Sequence, residues 1–166
     1  MIARHITMVA ATALALGACA KSPRAVPSAR TVSPSPRWTA TLATPAYDTV
    51  TSSAEMRALM STPITGTAAL TPMNGDTTFA ATISVAGARP GEVYPWYVHI
   101  GKCDTQRGVV GELNMYPPIT AGPDGTGTAR ATIPFPLPND ATWSVSVFPS
   151  PSQLETAVAC GDLTKK

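Results

Sequence analysis

The sequence predicts an all-β fold, because short segments of alternating apolar and polar residues follow one another from about residue 62 onward. An alternation with a period of two is typical of a strand that buries one face. The 17 prolines and 12 glycines of the 166-residue chain interrupt these segments, and valine and threonine within them favour strands. Seven or so short strands separated by turns indicate an antiparallel β-sandwich or a flattened barrel.

The strands are assigned in order from their alternation and from the turn residues between them. The clearest runs from Thr77 to Val85, where every second residue from Phe79 onward is apolar and shares one face. Asn74 and Gly75 tolerate positive φ and predict a hairpin turn before it. The predicted strands are Ile64 to Leu70, Thr77 to Val85, Glu92 to Ile100, Val109 to Met115, Thr126 to Ile133, Trp143 to Val147 and Ala157 to Leu163.

The N-terminus predicts export from the cytoplasm. Arg4 and His5 precede an apolar stretch of about 11 residues, too short to span a hydrocarbon core of roughly 30 Å. The sequence from Leu16 to Cys19 resembles the lipobox of bacterial lipoproteins, in which the thiol receives a diacylglycerol and the peptide is cut before it. We therefore expect residues 1–18 to be a signal peptide and Cys19 to be lipidated. The alternative is an ordinary signal peptide with a chance cysteine.

Lipidation would anchor the protein to a membrane of the cell envelope. Ala20 is not the aspartate that retains lipoproteins at the inner membrane, so in a two-membrane cell we expect the periplasmic face of the outer membrane. Residues 19–60 are rich in proline, serine and alanine, a composition that buries too little apolar surface to fold. They predict an extended spacer, with a helix cap at Ser52 to Glu55, before a domain over residues 61–166.

The composition limits the classes of partner. Charged residues make up 13% of the chain, the formal net charge is +2, and no basic run indicates a nucleic-acid partner. Without residues 1–18 the chain has 166 − 18 = 148 residues, which fits one domain and a spacer. The remaining partners are the membrane, through the lipid, and a protein or small molecule that the sequence does not name.

The cysteines predict one disulfide. If Cys19 carries lipid, Cys103 and Cys160 remain in a compartment that is expected to be oxidising, and they are the natural pair. Their bond would close a loop of about 58 residues, for which a chain-entropy model gives roughly 4 kcal/mol of stabilisation. Two free buried thiols or a cysteine-based metal site are the alternatives.

Three segments of the predicted domain resemble Cu/Zn superoxide dismutases. Tyr94 to Cys103 resembles the copper-binding strand of that family, which reads His-x-His and continues to a glycine and a cysteine. Asp124 to Ala129 resembles a later strand that begins with Asp-Gly, and Val158 to Leu163 resembles the closing Ala-Cys-Gly segment. Their order matches the family from about residue 62 to 163. The resemblance implies an eight-stranded Greek-key β-sandwich with a disulfide between Cys103 and Cys160.

The resemblance does not extend to the metal ligands. Tyr97 replaces the first histidine of His-x-His, so that only His99 remains, and the later copper histidine falls near Phe148. The zinc loop, residues 104–122, contains no histidine, and Ala157 stands where the family has its catalytic arginine. Dismutation cycles copper between two oxidation states and needs several imidazoles. We therefore expect a non-catalytic structural or binding module without a cofactor.

His99 carries the alternative hypothesis, a copper-binding or metal-handling protein with a residual site. Tyr97 on the same strand face would assist it, or Met73 or Met115 if the fold brings them near. The competing interpretation is a hydrogen-bonded structural histidine left after the site was lost. Trp96 faces the opposite side of the strand and is expected in the core.

Overall fold

The computed structural model describes residues 37–45 and 63–166. The predicted signal peptide, the lipidation site Cys19 and the helix cap at Ser52 lie outside these ranges. One 3-10 turn, Leu113–Met115, is the only helical element described. The described residues contain no helix with the length and hydropathy of a membrane span. The strands are β1 Trp38–Leu42, β2 Thr65–Met73, β3 Thr78–Ala86, β4 Val93–Tyr94, β5 Trp96–Ile100, β6 Ile119–Thr120, β7 Gly127–Ile133, β8 Trp143–Val147 and β9 Ala159–Lys165.

The strands form one large antiparallel sheet and one small one. The large sheet has seven strands in the order β5-β8-β9-β1-β2-β3-β7, and β4 pairs with β6 in the second. Side chains from β5, at one edge, and from β7, at the other, belong to the same buried cluster. The sheet therefore curls around its core as a half-barrel. The prediction of an all-β antiparallel fold is confirmed at this level.

The β2–β3 hairpin shows how the local sequence determines the register. Asn74, Gly75 and Asp76 all have positive φ, between 50° and 68°, and the hydroxyl of Thr77 donates to the carbonyl of Asn74 over 2.9 Å. This turn pairs Met73 with Thr78, so that every second residue from Phe79 to Val85 is buried. The predicted hairpin and the predicted buried face of this strand are both confirmed.

Strand β1 corrects the predicted domain boundary. It lies within residues 19–60, which the composition assigned to an extended spacer, yet it pairs with β2 on one side and with β9 on the other. Trp38, Ala40 and Leu42 enter the core, while Thr39 and Thr41 face outward. The alternation in this short segment was hidden by the proline-rich composition around it. The folded domain therefore includes residues well before position 61.

Two other predicted strands differ from the structure. The segment Glu92 to Ile100 is split at Pro95, which lacks a backbone N–H for the ladder, into β4 and β5 of different sheets. Val109 to Met115 is not a strand: Val109 makes one isolated bridge to His99, and Gly111 has a φ of 81°, which ends the extended backbone. The other predicted strands match β2, β3, β7, β8 and β9, with ends shifted by up to three residues.

Strand β8 buries two polar residues, Ser144 and Ser146, which flank Val145 in the sequence. Trp143, Val145 and Val147 face the core, as their alternation predicts, and Trp96 of β5 is fully buried beside them. Ser144 and Ser146 point to the other face of the sheet and are nevertheless 0% exposed. Something other than the sheet must cover this outer face of β8.

Leu42→Ala tests whether β1 is an integral strand. Leu42 is 1% exposed, and truncating such a side chain is expected to lower the free energy of unfolding by about 2–5 kcal/mol. Thr41→Ala, one residue away on the exposed face, is the matched control and is expected to change it by less than about 0.5 kcal/mol. Chemical denaturation of both variants measures the difference. Equal values would contradict the placement of β1 in the sheet.

Candidate functional site

The outer face of β8 is covered by the loop of residues 101–108, which a disulfide fastens to β9. Cys103 and Cys160 are bonded, with their Cα atoms 6.0 Å apart. The predicted pairing is confirmed, and the alternatives of two free thiols or a cysteine-based metal site are wrong for this structure. The backbone N–H of Cys103 also donates to Oδ1 of Asp162 on β9 over 2.8 Å.

Gln106 inserts its side chain from this loop between the two buried serines. Its amide Nε2 lies 3.2 Å from Oγ of Ser144 and 3.1 Å from Sγ of Cys160, and it also donates to Oγ of Ser146. The hydroxyl of Ser146 donates to the same sulfur over 3.2 Å, since a disulfide sulfur carries no hydrogen. One amide thus provides partners for polar groups that would otherwise be costly to bury.

His99 lies at the edge of this polar strip, on β5 opposite Ser144 of β8. Its side chain is 8% exposed. Nδ1 is 3.3 Å from the carbonyl oxygen of Arg107, which can only accept, so we assign the proton to Nδ1. Nε2 is then an acceptor, and it is buried with no partner among the described residues.

Burial determines the charge of His99. Desolvation lowers the pKa of its imidazole below the ordinary value, and the hydrogen bond to the Arg107 carbonyl opposes this in part. The ring is therefore neutral at neutral pH. A neutral imidazole whose Nδ1–H is held by a carbonyl presents a free lone pair on Nε2, the arrangement in which histidine binds metals.

Aromatic rings surround His99. The ring centroids of Tyr97 and Phe148 lie 6.4 Å and 6.1 Å from that of His99, and 5.8 Å from each other. Tyr116 packs edge-on against Tyr97 at 5.4 Å, and its hydroxyl donates to the carbonyl of Val110 over 2.6 Å. Aromatic rings therefore enclose one side of His99. The sequence predicted only that Tyr97 and His99 share a strand face; it did not predict the contacts with Phe148 and Tyr116.

Within residues 37–45 and 63–166, no three histidine, cysteine, aspartate or glutamate side chains form a group that could hold a metal ion, at His99 or elsewhere. Met73 ends β2 at the hairpin and Met115 lies in the 3-10 turn, close to Gly111. His99 is thus a single imidazole among rings and hydroxyls, with Ala157, at the expected arginine position, buried.

A second feature, which sequence reasoning missed, is an open groove of about 1270 Å³ across the outer face of the large sheet. Small hydroxyl side chains at every second position of neighbouring strands line much of it, and three charged side chains join them. The sequence shows the alternation of hydroxyl and apolar residues within each strand. It does not show which strands are neighbours, and the groove forms only where these strands lie side by side. These lining residues are Thr39, Thr41, Thr67, Thr82, Ser84, Thr128 and Thr164, with Arg130, Asp162 and Lys166.

The fold and site define an all-β domain with a disulfide-fastened loop over a buried polar strip. The sequence matches no protein-family model, and no curated protein is significantly similar to it.

The lowered pKa of His99 predicts a loss of stability in mild acid. A histidine whose folded pKa lies below its unfolded value of about 6.5 takes up a proton on unfolding, so its stabilising contribution is complete above that value and falls below it. The free energy of unfolding should decline as the pH is lowered from about 7.5 to about 5.5. In His99→Gln this part of the decline should disappear. An unchanged pH profile in that variant would contradict the assignment.

Proposed function

We propose that the protein is an exported, lipid-anchored envelope lipoprotein whose β-domain is a non-catalytic structural or binding module of superoxide dismutase-like ancestry. The observation that carries the proposal is the composition of the strand face around His99. Tyr97 and Phe148, at positions where the resembling family has copper histidines, both pack near His99. Rings occupy the space where further imidazoles would be needed.

The strand connections support the superoxide dismutase-like Greek-key topology within this proposal. Strands β1, β2 and β3 are consecutive neighbours, and β9, which comes much later in the chain, lies antiparallel beside β1. A strand that returns by a long connection to lie beside the first of three consecutive strands is a Greek-key feature. The disulfide between Cys103 and Cys160 joins the same two segments that the resemblance pairs.

The chemistry of the chain argues against dismutation. Copper that alternates between Cu(II) and Cu(I) is held by several imidazoles, which suit both states. His99 is the only histidine after residue 18. A single imidazole enclosed by two rings binds at most one position of a coordination sphere. The protein is accordingly proposed to act without catalysis, through a protein or small-molecule partner.

The envelope location is proposed from the N-terminal sequence and receives support from the disulfide. Disulfides persist in oxidising compartments outside the cytoplasm. The bond between Cys103 and Cys160 fits a chain that crosses a membrane during biogenesis. Cys19 would then provide the contact with the lipid bilayer.

Cys19→Ala tests the lipid anchor. In a bacterial host the full chain is expected to incorporate a radiolabelled fatty acid and to sediment with membranes, because the acylated cysteine inserts into the bilayer. Cys19→Ala is expected to lose the label and to leave the membrane fraction, whereas Ala20→Ser, the neighbouring control, keeps both. Label that persists in Cys19→Ala would contradict the proposal.

A second candidate function is copper handling at His99, favoured by the buried Nε2 that has no partner among the described residues. A buried polar atom without a partner requires an explanation, and an ion or a water is one. A soft cuprous ion accepts a low coordination number with an imidazole donor. The neighbouring rings would exclude water from such a site.

Metal titration tests this candidate. The chain from residue 20 onward is titrated with Cu(I) and with Cu(II) beside His99→Ala, with Thr105→Ala at an exposed position as the control. Copper handling predicts stoichiometric binding at micromolar or tighter affinity that disappears in His99→Ala and survives in Thr105→Ala. Equal binding by wild type and His99→Ala would reject the residual site.

A further inference from the structure

We propose that the loop of residues 101–108 is a redox-latched strap: reduction of the Cys103–Cys160 disulfide opens it and exposes His99, while the curled sheet stays folded. The inference does not depend on lipidation or on metal binding. Three observations support it: the disulfide and a few hydrogen bonds hold the loop, polar residues lie beneath it, and the core side chains of β8 point away from it.

The strap is held by few contacts besides the disulfide. None of the side chains from residue 101 to 108 belongs to the buried apolar cluster. At its ends, Gly101 N–H donates to Thr142 O and Arg107 N–H to Ile100 O, each over 2.8 Å, and Gly108 O accepts from Ile100 N–H over 3.2 Å. Between those ends, the attachments described are the disulfide, the Cys103 N–H to Asp162 bond and the Gln106 amide. Segments with few buried apolar contacts open at low free-energy cost.

The surface beneath the strap is polar, which lowers the cost of exposing it. Ser144 and Ser146 are fully buried under Gln106, and His99 has its Nδ1–H on the Arg107 carbonyl of the strap. When the strap opens, water can replace each of these protein partners. His99 Nε2, which has no partner among the described residues, would gain one.

The core side chains of β8 and Trp96 of β5 lie on the opposite face from the strap, whereas Tyr97 and Phe148 of the same buried cluster lie beside His99. Trp143, Val145 and Val147 of β8 and Trp96 of β5 point away from the loop and into the half-barrel. Opening the strap therefore exposes the hydroxyls and the imidazole without exposing these side chains.

The redox step is a thiol–disulfide exchange. A dithiol reductant supplies two electrons and two protons, the Cys103–Cys160 S–S bond breaks to give two thiols, and the reductant closes its own disulfide. The bond is the only covalent link between the strap and β9. Reduction leaves the Cys160 sulfur on β9 as a thiol, so that only hydrogen bonds then hold Gln106 over Ser146 and this sulfur.

The test is the rate at which diethyl pyrocarbonate acylates His99, since the reagent needs a neutral and accessible imidazole. The full chain is compared oxidised, reduced, and as Cys103→Ser, which opens the latch without a reductant. Peptide mass spectrometry reads the His99 peptide, and hydrogen exchange follows the amides of β2 and β3. We expect the rate at His99 to rise about tenfold or more in both unlatched forms, with β2 and β3 still protected.

Either of two results would overturn the proposal. His99 acylated at the same slow rate in all three forms would show that the disulfide does not control the strap. Loss of protection in β2 and β3 on reduction would show that the disulfide holds the whole fold and not the strap alone.

Gln106→Ala provides a second variant that leaves the disulfide intact. In the oxidised protein His99 should stay protected, and after reduction it should react faster than in the reduced wild type, because three hydrogen-bond contacts of the strap are gone. Thr105→Ala, an exposed neighbour, is the matched control and should behave as wild type in both forms. If oxidised Gln106→Ala already exposes His99 as fully as reduction does, the amide is the latch and the redox proposal fails.

Discussion

The fold depends on the insertion of β1 between β2 and β9. This strand pairs with the β2–β3 hairpin on one side and with β9 on the other, and it thereby joins the β1-β2-β3-β7 half to the β5-β8-β9 half of the sheet. Its alternate side chains Trp38, Ala40 and Leu42 fill the core at this junction. Without β1 the two halves would share no backbone ladder, and each would expose an apolar face.

The disulfide-fastened loop gives one part of this sheet a second buried side. A strand in an antiparallel half-barrel normally has one face in the core and one in water. On β8 the loop covers the outer face as well, so that Ser144 and Ser146 are buried and need hydrogen-bond partners. Gln106 supplies them, so the position of the loop is matched to these two serines by hydrogen bonds.

His99 lies on the edge strand β5, and its Nδ1–H is held by the Arg107 carbonyl near the end of the loop. Desolvation lowers the pKa of its imidazole, the Arg107 carbonyl fixes the proton on Nδ1, and the rings of Tyr97 and Phe148 pack beside it. The same geometry presents a buried Nε2 lone pair beside aromatic rings.

The sequence by itself determined the all-β class, the β2–β3 hairpin, most strand positions and the Cys103–Cys160 pair, because alternation, turn chemistry and cysteine count are local or one-dimensional signals. It missed β1, whose alternation over five residues was outweighed by the prolines around it. Only the tertiary structure decided that Gln106 lies on Ser144 and Ser146, that Phe148 lies beside His99, and that threonines of neighbouring strands line one groove. Each of these contacts joins residues far apart in the chain, and strand order, which no single strand encodes, brings them together.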